Sequence, residues 1–149
     1  MEAVIFIGIQ ATGKSSFFKA KFFDTHIRIN LDMLNTRHRE KLLLQACLEM
    51  KQPFVVDNTN STLEDRIRYI SAAKEAGFRI IGYYFQSKLQ DAVQRNSSRP
   101  PSNQIPHVGI RSTYSKLVLP SLAEGFDALY YVTLEPNQDF IVDEWQDEV

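Results

Sequence analysis

The chain contains Gly8-Ile9-Gln10-Ala11-Thr12-Gly13-Lys14-Ser15, an octapeptide that fits the phosphate-binding pattern G-x-x-x-x-G-K-S/T. It directly follows the apolar run Ala3-Val4-Ile5-Phe6-Ile7, which is typical of a buried parallel strand. The two glycines let the loop backbone come close to phosphate groups, and the helix that begins near Ser15 adds the positive end of its dipole. The octapeptide therefore predicts a site for a nucleoside triphosphate.

Two side chains at the end of the octapeptide have the expected chemistry. Lys14 is placed to neutralise the β- and γ-phosphates, and the Ser15 hydroxyl is placed to ligate Mg²⁺. The alternative is a tight strand-to-helix turn that uses glycine for geometry alone, but such a turn does not require Lys-Ser after the second glycine. The predicted nucleotide-binding residues are Gly8, Ile9, Gln10, Ala11, Thr12, Gly13, Lys14, Ser15, Ser16 and Arg95.

The composition is that of an ordinary globular protein, with 44% hydrophobic and 23% charged residues in a chain of 149. This length is enough for one good core, so we expect one domain. The formal net charge of −1 excludes a broad electrostatic surface for nucleic acid, and any polynucleotide contact must be local. The single cysteine, Cys47, lies in a helical apolar pattern, which predicts a buried packing role and no internal disulfide.

The N-terminal segment and the hydropathy pattern predict a cytoplasmic protein that does not contact a membrane. Met1-Glu2-Ala3 has no basic side chain, and the apolar run that follows stops at Gly8. The apolar stretches of the chain all fall short of the roughly 18 residues that a membrane span needs.

Apolar runs typical of strands alternate with helical patterns along the chain. The predicted strands are residues 3–7, 27–29, 54–56, 78–85 and 128–134. This alternation predicts an α/β protein, a P-loop NTPase/kinase-type three-layer sandwich with a five-stranded, mainly parallel sheet and a mobile lid. Since ligands bind at the carboxyl ends of such strands, the segments after the first three strands should converge at one edge.

Capping patterns and apolar spacing locate the helices. Ser61-Thr62-Leu63-Glu64 fits a capping box that opens a helix ending at Gly77. Ser87 and Gln90 fit a second box, for the helix that contains Arg95. The phenylalanines expected in the core are Phe17, Phe18, Phe22 and Phe23.

Binding a triphosphate is common to several classes of protein, and the motifs set most of them aside. The chain has no Asn-Lys-x-Asp motif and no Asp-x-x-Gly after the third strand, which argues against a switch GTPase. It is too short for a mechanical ATPase with its helical subdomain, and it lacks a Ser-Gly-Gly transporter signature. A small kinase remains.

Two aspartates follow predicted strands at the edge where the cleft is expected. Asp32 could accept the proton of a hydroxyl that attacks the γ-phosphorus, which makes it the candidate general base; its alternative role is an N-cap of the next helix. Asp57 ends a Val-Val run and could hold Mg²⁺ through water; its alternative role is an Asx turn.

Two arginines are spaced as a lid over the triphosphate would require. Arg95 and Arg99 lie four residues apart, on one face if the helix persists, and residues 96–109 are typical of a mobile loop before a helix from about 110 to 119. They could supply positive charge to the transition state, or they could be ordinary surface arginines of an exposed helix.

We expect residues 1–134 to form the P-loop kinase domain and residues 135–149 to form an acidic C-terminal tail. The last segment contains six carboxylates, which predicts a solvated tail. Phe140 and Trp145 are expected to dock it on the body of the domain, so that it packs on or extends from that domain.

Further motifs follow the phosphate loop in a consistent order, so that the set spans about residues 3 to 134. They are Asn30-Leu31-Asp32, Asp57-Asn58-Thr59-Asn60, Arg66, Arg68-Tyr69, Arg95-Asn96-Ser97-Ser98-Arg99, Ile105-Pro106, Tyr114 and Pro120-Ser121-Leu122-Ala123-Glu124-Gly125-Phe126. In this order they resemble the 5′-hydroxyl polynucleotide kinase family. The Asp-Asn-Thr-Asn and Ala-Glu-Gly-Phe runs are specific beyond a generic phosphate loop.

The resemblance implies a phosphotransferase that uses ATP and Mg²⁺. It implies that Asp32 is the general base and that one of the two lid arginines stabilises the transferring phosphoryl group. The catalytic residues that it implies are Asp32, Lys14, Arg99 and Arg95, and the metal-binding residues are Ser15 and Asp57.

The chain departs from the family pattern on the acceptor side. Leu31 stands where the family has an arginine between Asn and Asp, and Asn35 stands where a member has an arginine that holds the acceptor's phosphate. Arg37, His38 and Arg39 either take over that contact or form a solvated basic start of a helix.

These residues leave three functions open. The first is transfer of the γ-phosphate to a 5′-hydroxyl end of DNA or RNA, and the second is transfer to a hydroxyl of a small metabolite or an antibiotic. The third is an ATP-binding module that signals occupancy to a partner through its acidic tail, although no protein partner is evident in the sequence. An intact candidate base and two lid arginines favour the enzymes, because binding alone would not need them.

Overall fold

The computed structural model describes residues 1–137 and 139–146, which form one mixed sheet flanked by helices. The strands are β1 (Glu2–Ile7), β2 (Ile27–Ile29), β3 (Phe54–Val56), β4 (Arg79–Phe85), β5 (Ala128–Leu134) and β6 (Phe140–Glu144). The α-helices are α1 (Lys14–Lys21), α2 (Leu31–Leu34), α3 (Arg37–Met50), α4 (Leu63–Glu75), α5 (Leu89–Ser97) and α6 (His107–Lys116). Short 3₁₀ turns span Pro101–Asn103 and Leu122–Glu124.

The strands lie in the order β2-β3-β1-β4-β5-β6, with β1 to β5 parallel. The central strand β1 is apolar because it is covered on both faces; its Val4 lies beside Val55 of β3 and Ile81 of β4. The predicted α/β class and mainly parallel sheet are confirmed. The predicted number of strands was wrong, since the sheet has six strands rather than five within residues 1–137 and 139–146.

The two faces of β1 supply two cores. One face packs Ile5 and Ile7 against α3 and α4, where Cys47 is fully buried as predicted. The other face packs Phe6 against α1, whose Phe17, Phe18 and Phe22 are buried. The expectation for Phe23 was wrong, because its side chain is 70% exposed beyond the end of α1.

The extra strand lies in the segment that was expected to be a solvated tail. β6 pairs antiparallel with β5, with Val142 opposite Val132. Phe140 and Trp145 dock as expected: the Phe140 ring lies 5.1 Å from the Phe17 ring and the Trp145 ring 5.5 Å from the Tyr84 ring. Gln138 and residues 147–149 of the expected tail lie outside the described residues.

The helix starts differ from the capping patterns in two places. α4 is capped by Thr62, whose Oγ1 accepts from the Asp65 amide at 3.2 Å, so the predicted Ser61 box is displaced by one residue. The second predicted box was wrong: α5 starts after Lys88 without a side-chain cap, because Ser87 bonds elsewhere. Among the described residues, no helix is long and apolar enough to cross a bilayer.

Candidate active site

The glycines of the phosphate loop are required by close packing. A Cβ on Gly8 would lie 3.1 Å from the Phe85 carbonyl oxygen, and a Cβ on Gly13 would lie 3.0 Å from the Phe140 ring. Gly13 also has φ +94°, a left-handed conformation that side chains disfavour. A side chain at either position would therefore have to push its neighbours aside, and at Gly13 it would also strain the backbone.

Hydrogen bonds from two neighbouring strands fix the start of the loop. The Gly8 amide donates to the Thr59 carbonyl at 3.0 Å, and the Ile9 amide donates to Ser87 Oγ at 3.1 Å. Ser87 Oγ in turn donates to the Phe85 carbonyl at 2.8 Å. The segments after β3 and β4 thus position the loop after β1, as expected for the carboxyl edge of a parallel sheet.

Lys14 is buried at the centre of the loop. Its Nζ donates to the carbonyl oxygens of Gly8 at 2.9 Å and Ile9 at 2.6 Å. Burial lowers the pKa of Lys14 to about 8; the Asp57 carboxylate opposes this shift, and the Arg99 charge adds to it. Because burial disfavours the charged form of Lys14, a polyanionic ligand at the predicted phosphate position would stabilise that charged form.

Ser15, Asp57 and Arg28 form a closed triangle beside the loop. Ser15 Oγ donates to Asp57 Oδ2 at 3.1 Å, while Arg28 Nε donates to the same oxygen at 2.8 Å. Arg28 Nη2 also donates to Ser15 Oγ at 3.0 Å. The sequence did not single out Arg28, since an arginine in a short strand has no distinguishing pattern.

The hydroxyl of Ser15 and the carboxylate of Asp57 are hard oxygen donors of the kind that Mg²⁺ prefers. No group of three or more His, Cys, Asp or Glu side chains among the described residues could hold a metal ion by itself. This donor set fits an ion that takes its remaining ligands from phosphates and water, the usual arrangement for Mg²⁺ at phosphate sites.

Asp32 lies in the first turn of α2 and lines the same cavity as Lys14 and Asp57, with a volume of about 180 Å³. The N-cap is Asn30, whose side chain accepts from the Met33 amide at 2.9 Å. The alternative role for Asp32 as the cap is therefore wrong, and its carboxylate stays exposed at the cavity.

The segment that contains Asp32 is fixed by amide side chains. Asn30 Nδ2 donates to the Asp57 carbonyl at 2.6 Å, and the Leu31 amide donates to Asn58 Oδ1 at 2.8 Å. Asn58 is held in turn by a buried cluster, with Nδ2 3.2 Å from Glu40 Oε2. The role of Glu40 was not predicted, because a glutamate near a helix start usually faces solvent.

Arg95 and Arg99 reach the phosphate loop from the other side. α5 ends at Ser97, so they do not share a helix face, but both line a cavity of about 810 Å³ with Ala11 and Gly13. Arg95 Nη1 donates to the Ala11 carbonyl at 3.3 Å.

The predicted mobile loop is shorter than expected. α5 continues to Ser97 and α6 begins at His107, ahead of the predicted helix start. Near the end of α5 the buried Asn96 side chain donates to the Ile105 carbonyl at 2.6 Å and accepts from the Ile105 amide at 2.8 Å. The segment that contains Arg99 is therefore closed by a defined pair of hydrogen bonds.

Arg66 connects the motif after β3 to the far side of the domain. Its side chain is fully buried, with Nε 2.7 Å from Glu124 Oε1. Its Nη1 donates to the carbonyls of Asn60 at 2.9 Å and Val118 at 3.0 Å. Asn60 Nδ2 reaches the Phe6 carbonyl at 2.7 Å, so Arg66 holds the loop that contacts β1.

Comparison with known proteins gives matches over most of the chain. A family model described as an AAA domain matches residues 30–113, more than half of the chain. The bifunctional polynucleotide phosphatase/kinase of Schizosaccharomyces pombe is 28% identical over 143 residues, which cover 93% of this chain and 35% of that protein. The chain thus spans about a third of the length of this curated relative, and the similarity confirms the resemblance indicated by the motifs.

Solved structures share the fold at low sequence identity. A gluconokinase from Sinorhizobium meliloti has a TM-score of 0.62 at 17% identity, covering 89% of this chain and 82% of that one. Kti12 from Chaetomium thermophilum, solved with ADP-AlF3, has a TM-score of 0.66 at 12% identity, covering 91% and 92%. These matches confirm the P-loop kinase type of fold.

Proposed function

The chain belongs to the AAA domain family, and from this premise we propose that it transfers the γ-phosphate of ATP, with Mg²⁺, to the 5′-hydroxyl end of a polynucleotide. Kinase chemistry is supported by the similarity to a polynucleotide phosphatase/kinase and by the kinase among the solved structures. In this proposal residues 1–134 form the kinase domain and residues 135–149 form an acidic tail that packs on or extends from it.

The observation that supports this function best is the meeting of four side chains in one cavity. Lys14, Asp32, Asp57 and Arg99 come from four different segments of the chain and line the same space of about 180 Å³. Phosphoryl transfer needs positive charge around the phosphate, an oxygen ligand for a metal and a carboxylate that faces the attacking hydroxyl. A protein that only bound ATP would not need Asp32 there.

In the proposed reaction the acceptor hydroxyl lies between Asp32 and the γ-phosphorus. The Asp32 carboxylate accepts the hydroxyl proton as the acceptor oxygen bonds to phosphorus, and ADP leaves on the opposite side. Lys14 and the loop amides hold the phosphates, while Arg95 and Arg99 stabilise charge on the transferring group.

Ser15 and Asp57 are the residues that would hold Mg²⁺. The ion supplies charge neutralisation and orientation of the phosphate oxygens. Their hydrogen bond keeps the hydroxyl and carboxylate within reach of one ligand. The nucleoside of ATP fits the larger cavity between α5 and the segment after β5, which Gln86, Gln94, Arg95 and Thr133 line.

A basic groove beside the site supports a polynucleotide acceptor. α3 and α4 enclose about 480 Å³ with an apolar floor that includes Leu44 and Leu48. Arg37, Lys41 and Arg68 line the groove as well. Arg37 contacts Glu40, which bonds Asn58, and Asn58 lines the candidate cavity together with Asp32, so these bonds connect the groove to the site. Such local basic residues could hold phosphates despite the net charge of −1.

The cavity that Asp32 lines has a volume of only about 180 Å³. This small volume favours a second candidate function, transfer of the phosphate to a small alcohol. The experiment that separates the two incubates the protein with γ-labelled ATP, Mg²⁺ and either a 5′-hydroxyl oligonucleotide or a panel of nucleosides and sugars. Label on the oligonucleotide is the expected result. ATP binding without label on DNA or RNA would contradict the proposal, and label on a sugar alone would establish the second candidate.

We expect Lys41→Gln to weaken oligonucleotide binding and to make that binding less sensitive to salt. If Lys41 contacts one phosphate, the slope of log affinity against log salt should fall by about 0.7, the value for a single strand. Fluorescence anisotropy from 50 to 300 mM salt, roughly the range over which such contacts weaken, measures the slope. Lys21→Gln, on helix α1, is the control. Equal slopes in both variants would exclude the groove as the site that binds the oligonucleotide.

ATP affinity should fall as pH rises through the Lys14 pKa of about 8. The triphosphate binds the charged form of Lys14 more tightly than the neutral form, so above this pKa binding of ATP is accompanied by uptake of a proton. The affinity for ATP should therefore be highest below about pH 7 and about tenfold weaker at pH 9. Calorimetry in buffers of different ionisation enthalpy measures both the affinity and the proton uptake. Lys14→Arg should flatten the profile because guanidinium does not titrate; a flat wild-type profile would exclude Lys14 as the titrating group.

A further inference from the structure

Arg28 places a positive charge between the two side chains that we assign to Mg²⁺. Its guanidinium donates through Nε to Asp57 Oδ2 at 2.8 Å and through Nη2 to Ser15 Oγ at 3.0 Å. Ser15 Oγ closes the triangle by donating to the same Asp57 oxygen at 3.1 Å. The Asp57 side chain is 2% exposed, and Arg28 is the cation that forms an ion pair with this buried carboxylate.

These hydrogen bonds use the same atoms that a metal ion needs. A serine hydroxyl has one donor and two acceptor positions; the donor points to Asp57, and Arg28 takes one acceptor position. A divalent ion bound to Ser15 and Asp57 would lie beside the guanidinium, and like charges at such short range repel. The guanidinium cannot relieve this repulsion by losing a proton.

Arg28 has a route away from the triangle. It lies in β2, the edge strand of the sheet, and its side chain is 28% exposed, whereas Asp57 is enclosed. The backbone bonds of β2 to β3 do not depend on where the side chain lies. The guanidinium can therefore turn towards solvent without unfolding the strand.

We infer that Arg28 is an internal cation that holds Asp57 and Ser15 in the nucleotide-free protein and gives up both when Mg²⁺ binds with ATP. The inference rests on the proposed function for the assignment of Mg²⁺ to these two residues. The exchange of one cation for another keeps Asp57 neutralised in both states. It also means that the free protein binds divalent ions weakly, and that the metal enters together with the triphosphate, whose charge offsets the displaced guanidinium.

The test is metal binding without nucleotide. Titration with Mn²⁺, followed by the electron paramagnetic resonance of the free ion, should show at least tenfold tighter binding to Arg28→Met than to wild type. Arg79→Met, which removes an exposed arginine from β4, is the matched control and should bind as wild type does. Equal Mn²⁺ affinity of Arg28→Met and wild type would overturn the inference. So would a gain that persists in Arg28→Met/Asp57→Asn, because the ion would then lie elsewhere.

A second variant keeps the test informative if Arg28→Met does not fold. Arg28→Gln leaves a neutral donor for the Asp57 carboxylate and should also bind Mn²⁺ about tenfold more tightly than wild type; affinity no tighter than wild type overturns the inference. Millimolar Mg²⁺ should raise the melting temperature of Arg28→Gln but not of wild type. These measurements contain neither ATP nor an acceptor, so failure of oligonucleotide labelling would leave their result unaffected.

Discussion

Replacing Asp32 with asparagine should lower the rate of phosphoryl transfer by about 10²- to 10⁴-fold, the usual contribution of a positioned general base. Asparagine has the same shape but cannot accept the hydroxyl proton. ATP affinity should stay within about twofold of wild type, because a loss of base strength affects the transition state rather than ground-state binding. Single-turnover transfer to an acceptor and calorimetric titration with ATP measure the two quantities.

The structure indicates that Asp32→Asn should leave the fold around the site unchanged. Helix α2 is capped by Asn30 rather than by Asp32, so the helix start should be unaffected. Asp24→Asn, at an exposed carboxylate in the turn after α1, controls for the loss of one negative charge. A transfer rate equal to that of this control would remove Asp32 from the proposed mechanism as its general base, while the phosphotransferase activity itself would stand.

Replacing Arg66 with methionine should destabilise the protein by about 3–5 kcal/mol, the usual cost of breaking a buried ion pair by removing one partner. The Arg66 side chain is fully buried and Glu124 is 11% exposed, so solvent screening does little to reduce this cost. The carbonyls of Asn60 and Val118 also lose their donor. Urea denaturation measures the free energy of unfolding, and the melting temperature should fall by roughly 10 °C or more.

Two further variants identify the cause of that loss. Arg68→Met, on the same helix but exposed, should change stability by about 0.5 kcal/mol or less. Arg66→Met/Glu124→Leu should recover part of the loss, because the carboxylate that lost its counter-ion is removed as well. A change below about 1 kcal/mol for Arg66→Met would show that the pair contributes little to stability.

The parallel part of the sheet could be predicted because its strands are largely apolar runs between turns, although β2 includes Arg28. β3 has the predicted bounds because all three of its residues are buried. β5 has them because Ala128–Leu134 is rich in aromatic and β-branched residues, although only Leu129 and Val132 are buried. β6 could not be predicted in this way. Its Phe140, Ile141 and Val142 lie among carboxylates, and an edge strand with one exposed side needs no continuous apolar run.

Those residues of the candidate site could be predicted whose type and distance from the end of a strand are enough to identify them. Lys14, Asp32 and Asp57 all follow strands that meet at one edge, so topology alone brings them together. Arg28 lies within a strand, and only the register of β2 against β3 shows that it faces Asp57.

Ser87 illustrates how a local pattern fails when a distant group competes for the same side chain. With Gln90 it fits a capping box, but its hydroxyl instead bonds Ile9 and Phe85. The loop amide is buried and needs an acceptor, and a hydrogen bond to it outweighs a cap that solvent can replace. The spacing of residues in the sequence does not indicate this competition, because Ser87 and Ile9 lie far apart along the chain.

The contact between Gly13 and Phe140 has a consequence for the order in which the protein is completed on the ribosome. The phosphate loop is synthesised before β6, the last strand described, whose Phe140 ring packs against it. At about 5–20 residues per second, translation leaves the loop without this support for several seconds after α1 has emerged. A nascent chain that ends before residue 140 lacks the Phe140 ring, so the part of the Phe17 surface that this ring covers stays open to solvent until β6 has been made.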